Sequence, residues 1–312
     1  MGATHRDLPN DVRVPAGEAA AYGPVGRSRW LDVDWREHQR WVQIDGATIN
    51  TIEMGDGPPL VFVHGLSGSW PNWLEQIPVL ADEHRVIAVD LPGFGSSPMP
   101  AGPISISGYA RMLAGLFAEL GVDAAALVGN SMGGFISAEL AIAFPQLVER
   151  LVLISAAGIS TTGDPRTGRA LPTMRRIERI TAASAAWLAS RSDTVARRPR
   201  LREATLALVA RHPSRLPTAL AAEQLRGAGK PGFLQALEAI MEYDFRDRLP
   251  EIACPTLIVW GDGDRLISVR DADVFAELIP DSRKVVFEDT GHVAMLERPA
   301  AFNSLLRDFL AE

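Results

Sequence analysis

The tightest constraint on this chain is the stretch Leu127-Val128-Gly129-Asn130-Ser131-Met132-Gly133-Gly134, an apolar run broken by a serine among glycines and resumed as a helical pattern. With 124–128 as a buried strand and 135–144 as a helix, the chain must reverse over about three residues, with Ser131 at the apex of a strained turn. Only small neighbours fit such a turn. Gly129 and Gly133 supply them in the pattern G-x-S-x-G, and Gly134 lets the helix start close against the strand. The serine hydroxyl then points away from the sheet, and N–H groups at the helix start can stabilise negative charge. The pattern also fits a glycine-rich turn with an incidental serine, so the remaining chain has to decide.

Other segments supply a setting for such a turn. Val42–Ile44 and Ile49–Ile52 flank Asp45-Gly46, which predicts a two-stranded hairpin. Leu60–Val63 and Val86–Val89 are continuous apolar runs of the kind buried on both faces of a parallel sheet. The first ends in His64-Gly65-Leu66 and the second in Asp90-Leu91-Pro92-Gly93-Phe94-Gly95. Between them Trp73–Leu80 has helical spacing. A helix over Ile106–Leu120, a strand over Leu151–Ile154, strands over 255–260 and Lys284–Phe287, and a terminal helix over Pro299–Leu310 complete a doubly wound α/β pattern. From Gly158 to about Arg248 the strand runs disappear and apolar residues recur at helical spacing around Ile177–Leu188, Leu201–Val209 and Phe233–Met241. This predicts a helical insertion, punctuated by prolines, over the strand ends. The expected organisation is a flexible tail over 1–29, an α/β core over 30–157 and 249–312, and a helical cap over 158–248. Trp30, Trp35 and Trp41 are read as packing a short arm onto the core, and Arg175-Arg176 and Arg197-Arg198 as a solvated helix surface.

At 312 residues the chain can hold one large domain with an insertion. Its net charge of −7 argues against nucleic acid as a partner. The single cysteine, Cys254, is expected to be a buried structural thiol. No window resembles a membrane span or a secretory leader, so a cytoplasmic location is the expectation.

Three loops that follow predicted strands carry Ser131, the acids Asp262 and Asp264, and His292. In a parallel sheet the carboxyl ends of the strands share one edge, so these loops can converge. A serine hydroxyl is a poor nucleophile at neutral pH. An imidazole can take its proton and return it to a leaving group, and a carboxylate fixes the imidazole tautomer. The order nucleophile, acid, base is that of the strand–elbow–helix hydrolases.

On His64-Gly65, Asp90–Gly95, Gly129–Gly133, Trp260-Gly261-Asp262-Gly263-Asp264 and Gly291-His292, the chain resembles the α/β-hydrolase superfamily, in the branch with a helical cap. The resemblance spans about residues 41–312 and implies an α/β-hydrolase fold with a mostly parallel sheet. It makes Ser131 the nucleophile, His292 the base and Asp264 the orienting acid, with Asp262 as the alternative. It also implies backbone N–H groups of Leu66 and Met132 in the oxyanion hole, His64 and Asp90 as loop braces, and a mechanism without a cofactor or metal.

A serine at the elbow argues against haloalkane dehalogenase and epoxide hydrolase chemistry, which in this superfamily uses an aspartate. Two readings fit it. One is a carboxylesterase for small to medium apolar esters, with Phe135, Met295, Leu66 and Met132 near the site and Trp187 and Phe233 reaching it from the cap. The other is a carbon–carbon bond hydrolase of ring-fission products. Asn130 matches the elbow of that group and Asn72 is the candidate for a second polar residue of its pocket, but Val293 occupies the place of its usual tryptophan. A third possibility is a hydrolase scaffold serving as a ligand receptor with slow turnover.

Overall fold

The computed structural model describes residues 11–16, 22–161 and 189–312. Among these residues nine strands form one sheet: β1 Asp11–Val14, β2 Gln39–Ile44, β3 Ala47–Met54, β4 Pro59–Val63, β5 Arg85–Val89, β6 Ala125–Asn130, β7 Val148–Ile154, β8 Thr256–Gly261 and β9 Ser282–Phe287. Their order is β1-β9-β8-β7-β6-β4-β5-β3-β2. The hairpin β2–β3 runs antiparallel, and β3 is antiparallel to β5. All other pairings are parallel. The hairpin turn sits where Asp45-Gly46 predicts it, with φ of 48° and 81° at these two residues, the left-handed pair that a two-residue turn needs.

The apolar runs are continuous because alternate residues serve opposite faces. Val61, Val63, Leu127, Leu151, Leu153, Ile258 and Trp260 join one core with α2 (Ile106–Leu120) and α3 (Met132–Ala143). Leu60, Phe62, Val128, Val152, Ile154, Leu257 and Val259 join the other, which includes α1 (Ile77–Leu80) and the C-terminal helix Pro299–Leu310. Together the two cores bury both faces of the central strands β4, β5, β6 and β8, as a parallel sheet requires. The helix expected over Trp73–Leu80 is interrupted: a 3₁₀ turn spans Trp70–Trp73 and α1 begins only at Ile77. Pro78 lacks an N–H and its ring would clash with a carbonyl one turn earlier, so a continuous helix cannot pass through it.

Between β7 and β8 the described residues form α4 Ser192–Ala196, α5 Pro199–Leu206, α6 Thr218–Arg226 and α7 Phe233–Glu242. The helix expected over Ile177–Leu188, with Arg175, Arg176 and Trp187, lies outside the described residues. After β8 come α8 Arg270–Leu278, α9 Ala294–Glu297 and α10 Pro299–Leu310.

The expectation of a tail over 1–29 needs correction. Asp11–Val14 pairs in parallel with β9, with Val12 opposite Val285, and Lys284 binds both Asp11 and Asp273. A four-residue edge strand has too little apolar periodicity to stand out in sequence, and the β9 edge completes it. Trp30 is buried and donates its indole N–H to Glu75 (2.8 Å). Trp35 rests against Trp70, ring centres 4.9 Å apart, whereas Trp41 projects outward from the edge strand β2. Cys254 is half-buried, and burial pushes its thiol up to about 11.

Candidate active site

The stretch after β6 makes the reversal that its glycines permit. Ser131 has φ 57° and ψ −118°, outside the conformations open to most L-residues at low cost. Two contacts hold it there: its N–H donates to Ile154 O (2.9 Å) and its carbonyl accepts from Ala157 N (3.0 Å). A Cβ on Gly129 would lie 2.3 Å from the Gly133 carbonyl oxygen, and one on Gly133 would lie 2.1 Å from Val63 O. Both are backbone contacts, so no side-chain adjustment could relieve them. The elbow therefore packs directly onto the end of β4, where the His64-Gly65-Leu66 loop begins.

His292 and Asp264 meet in the loops after β9 and β8. His292 Nδ1 lies 2.8 Å from Asp264 Oδ2, with both side chains almost completely buried. The other oxygen of Asp264 accepts from the N–H groups of Leu266 (2.8 Å) and Ile267 (3.0 Å), which hold the carboxylate in place. Asp262 is exposed, so the structure brings Asp264 and not Asp262 to the imidazole. With Nδ1 directed at the carboxylate, Nε2 is the remaining ring nitrogen. It is buried and has no hydrogen-bond partner among the described residues. Ser131, at the tip of β6, is tied to the same loop through its neighbour: Asn130 Nδ2 donates to Ile154 O (3.1 Å) and His292 O (3.3 Å).

The N–H groups of Leu66 and Met132 donate to no protein acceptor among the described residues. Met132 is the first residue of α3, where N–H groups have no intrahelical partner and the helix dipole favours an anion. The loop that carries Leu66 is braced as the sequence implies. His64 Nδ1 faces Gly65 O (2.8 Å), while Nε2 accepts from Leu91 N (3.0 Å). Burial holds its imidazole below the usual histidine value, which fits this neutral tautomer. Asp90 accepts from Trp70 N, Ser96 N and Asn50 Nδ2, each at 2.8 Å.

The expected substrate-facing residues are placed differently. Met132, Phe135 and Met295 have no exposed surface, and Phe233 is buried. Phe135 packs into an aromatic cluster with Phe245, ring centres 4.4 Å apart. They share this burial with Ser131 and His292, and the first turn of α3 and the stretch after His292 both bury apolar side chains against the sheet. Leu66 alone of this group is half-exposed. Asn72 is also committed: its Oδ1 accepts from Ser69 N (3.2 Å) and its Nδ2 donates to Gln224 on α6. Trp187 lies outside the described residues. A cleft of about 740 Å³ between Met99–Ile106 and Gln235, Glu238, Glu242 and Tyr243 contains none of Ser131, Asp264 or His292.

Sequence reasoning missed the groups that hold the His292 loop. Glu297 accepts from Gly291 N, Arg211 N and the Tyr22 hydroxyl, and Asp289 meets His212 Nε2 (2.8 Å). A second buried carboxylate, Asp271, accepts from Ser160 N and Oγ (3.0 and 2.7 Å); burial and the nearby Asp264 push it upward. One signal was available: Glu297 directly follows the apolar Val293-Ala294-Met295-Leu296, and an acid buried with such a run must find partners.

Comparison with known proteins agrees with this architecture. The model of the alpha/beta hydrolase fold matches residues 58–299. The chain is 33% identical over 291 residues to the 2-hydroxy-6-oxo-2,4-heptadienoate hydrolase of Pseudomonas putida, covering 87% of this chain and 96% of that one. It is 30% identical over 282 residues to a 2-hydroxymuconate semialdehyde hydrolase of a Pseudomonas species, covering 86% and 92%. Among solved structures, a bacterial membrane phospholipase A superposes with a TM-score of 0.71 at 29% identity, covering 90% of each chain. The chain described here belongs to the alpha/beta hydrolase fold family and is a hydrolase.

Proposed function

We propose that the chain is a serine hydrolase that cleaves carboxylic esters of small to medium apolar substrates through an acyl-enzyme. The observation that carries this reading is the buried His292–Asp264 pair, which leaves Nε2 as the free ring nitrogen, together with a serine at a strained elbow whose neighbour Asn130 bonds the His292 carbonyl. In this reading His292 Nε2 takes the Ser131 proton as Oγ adds to the ester carbonyl. The oxyanion is received by the N–H groups of Leu66 and Met132, each contributing on the order of 3 kcal/mol to the transition state. Collapse expels the alcohol, which leaves with the proton from His292. A water molecule, deprotonated by the same nitrogen, then adds to the acyl carbonyl, and the acid leaves as Ser131 is regenerated. The helices between β7 and β8 serve as a cap, and a small-molecule ester is the expected partner.

A second reading, hydrolysis of the carbon–carbon bond of a vinylogous ring-fission product, is favoured by the activities of the two Pseudomonas relatives. It ranks second because the asparagines that kept it in view are engaged within the protein: Asn72 bonds Ser69 and Gln224, and the Asn130 amide bonds two main-chain carbonyls. Val293 also stands directly after His292.

One panel tests both readings: p-nitrophenyl esters of short and long acyl chains beside a dienoate ring-fission product. Turnover of short esters, abolished in a folded Ser131→Ala protein, is the expected result. Efficient cleavage of the dienoate with slow ester turnover would replace the first reading by the second. Substantial ester hydrolysis by pure Ser131→Ala would sink the mechanism.

A further inference from the structure

The loop that carries His292 is gripped by two adjacent residues of opposite charge. On the side preceding the histidine, the Arg298 guanidinium donates to the carbonyls of Glu288 (3.4 Å) and Asp289 (3.2 Å) and to Thr290 Oγ1 (3.1 Å). On the histidine itself the grip belongs to Glu297. Its Oε1 accepts from Gly291 N (2.9 Å) and Val293 N (3.4 Å), the two N–H groups that flank His292. Its Oε2 accepts from Arg211 N (2.8 Å) and the Tyr22 hydroxyl (2.7 Å). Glu297 is fully buried. Burial pushes its carboxyl upward, while these four donors favour the charged form. A buried carboxylate is costly unless its oxygens are satisfied, and here each takes two donors.

The donors come from three distant parts of the chain. Tyr22 belongs to the segment after β1, Arg211 to the stretch between α5 and α6, and Gly291 and Val293 to the loop after β9. The stretch around Arg211 also touches the histidine directly, since His292 N donates to Val209 O (2.9 Å). The fit is close: a Cβ on Gly291 would lie 2.7 Å from Arg211 N and 2.9 Å from Glu297 Oε1.

We infer that Glu297 is a positioning residue for His292, holding the imidazole on Asp264 and coupling that placement to the docking of the 209–212 stretch and of Tyr22. It touches neither substrate nor reacting atoms and acts through the main chain on both sides of the base. This inference rests on the triad reading given above.

Glu297→Gln tests it in the full chain with p-nitrophenyl acetate. Glutamine keeps the shape and one acceptor but turns an amide N–H₂ toward donors. The expected result is a kcat lowered roughly 10- to 100-fold with KM changed less than about twofold, as for a displaced catalytic group. The acid limb of the kcat profile should also move to lower pH, because the variant lacks a buried negative charge at the His292 loop and holds the imidazole less firmly on Asp264. The groups facing this loop, Tyr22, His212, Arg211, Asp289, Arg298 and Asp264, are unchanged in the variant. A folded Glu297→Gln protein with wild-type kcat and an unmoved acid limb overturns the inference. Should that variant not fold, Tyr22→Phe removes one donor from the same carboxylate. A kcat lowered roughly threefold, with the limb moving the same way, is then expected, and wild-type values for both overturn it. Ser131→Ala and His292→Ala are measured alongside. Activity surviving in these overturns the triad reading and this inference with it. Its loss in them and retention in Glu297→Gln overturns the role of Glu297 alone.

Discussion

Asp262 and Asp264 stand two residues apart after β8, and only the second reaches the imidazole. The loop turns so that Asp264 Oδ1 takes the N–H groups of Leu266 and Ile267, which points Oδ2 at His292 Nδ1. Asp264→Asn should therefore lower kcat by roughly 10⁴-fold by stabilising the wrong imidazole tautomer, whereas Asp262→Asn should stay near the wild-type value. Steady-state kinetics on one p-nitrophenyl ester separates them, and equal losses in both would contradict the assignment. His64 makes a residue-scale prediction about stability. Its folded pKa lies below the ordinary histidine value of about 6.5 because burial disfavours the cation, so below that pH the unfolded chain binds a proton that the folded chain does not. Stability should then fall as pH drops through 6.5 toward the folded pKa, by about 1.4 kcal/mol per pH unit while the difference of one proton lasts. Denaturant melts of His64→Gln between pH 7 and 5 should show a shallower decline than those of the wild type.

At the scale of elements, the elbow depends on direct backbone contact between β4, β6 and α3. A methyl group on Gly133 would lie 2.1 Å from Val63 O, so Gly133→Ala should push α3 away from the sheet. The expected outcome is a large loss of soluble, folded protein, measured by expression yield and thermal melting. Wild-type stability in this variant would show that the elbow is looser than its geometry implies. Much of this level was legible in the sequence. The G-x-S-x-G pattern identifies the elbow because no larger residue fits, and the hairpin at Asp45-Gly46 and the helix Ile106–Leu120 fall where local pattern puts them. The break before α1 was missed because helical spacing over 73–80 carries the periodicity while Pro78 removes the hydrogen bond.

The whole molecule is held at both sheet edges by short additions to a central parallel array. On one side β1 covers the edge of β9, and Glu288 N donates to Val14 O (3.0 Å) to continue the ladder. Removing residues 1–16 would leave that edge open. The truncated chain should melt at lower temperature and associate more readily than the full chain, by differential scanning calorimetry and light scattering, because an unpaired edge recruits other strands. Unchanged melting and scattering would mean that β1 adds nothing to stability. Among the described residues no helix is long and apolar enough to cross a membrane.

Taken by itself, the sequence determined the order of the elements and singled out Ser131 and His292 as the proposed nucleophile and base. Both follow from local rules: period-two burial, glycine at crowded turns, and loops placed at one edge by a parallel sheet. It left the acid as a pair and assigned Phe135, Met295 and Asn72 to the substrate. Only the tertiary structure brought Asp264 to the imidazole, buried Phe135 and Met295, bonded Asn72 to Ser69, and brought Glu297, Tyr22 and Arg211 together around the His292 loop. These decisions depend on contacts between segments far apart in the chain. No spacing along the sequence encodes which donors will meet a buried carboxylate, because that meeting is made by the folding of the sheet and the docking of helices upon it.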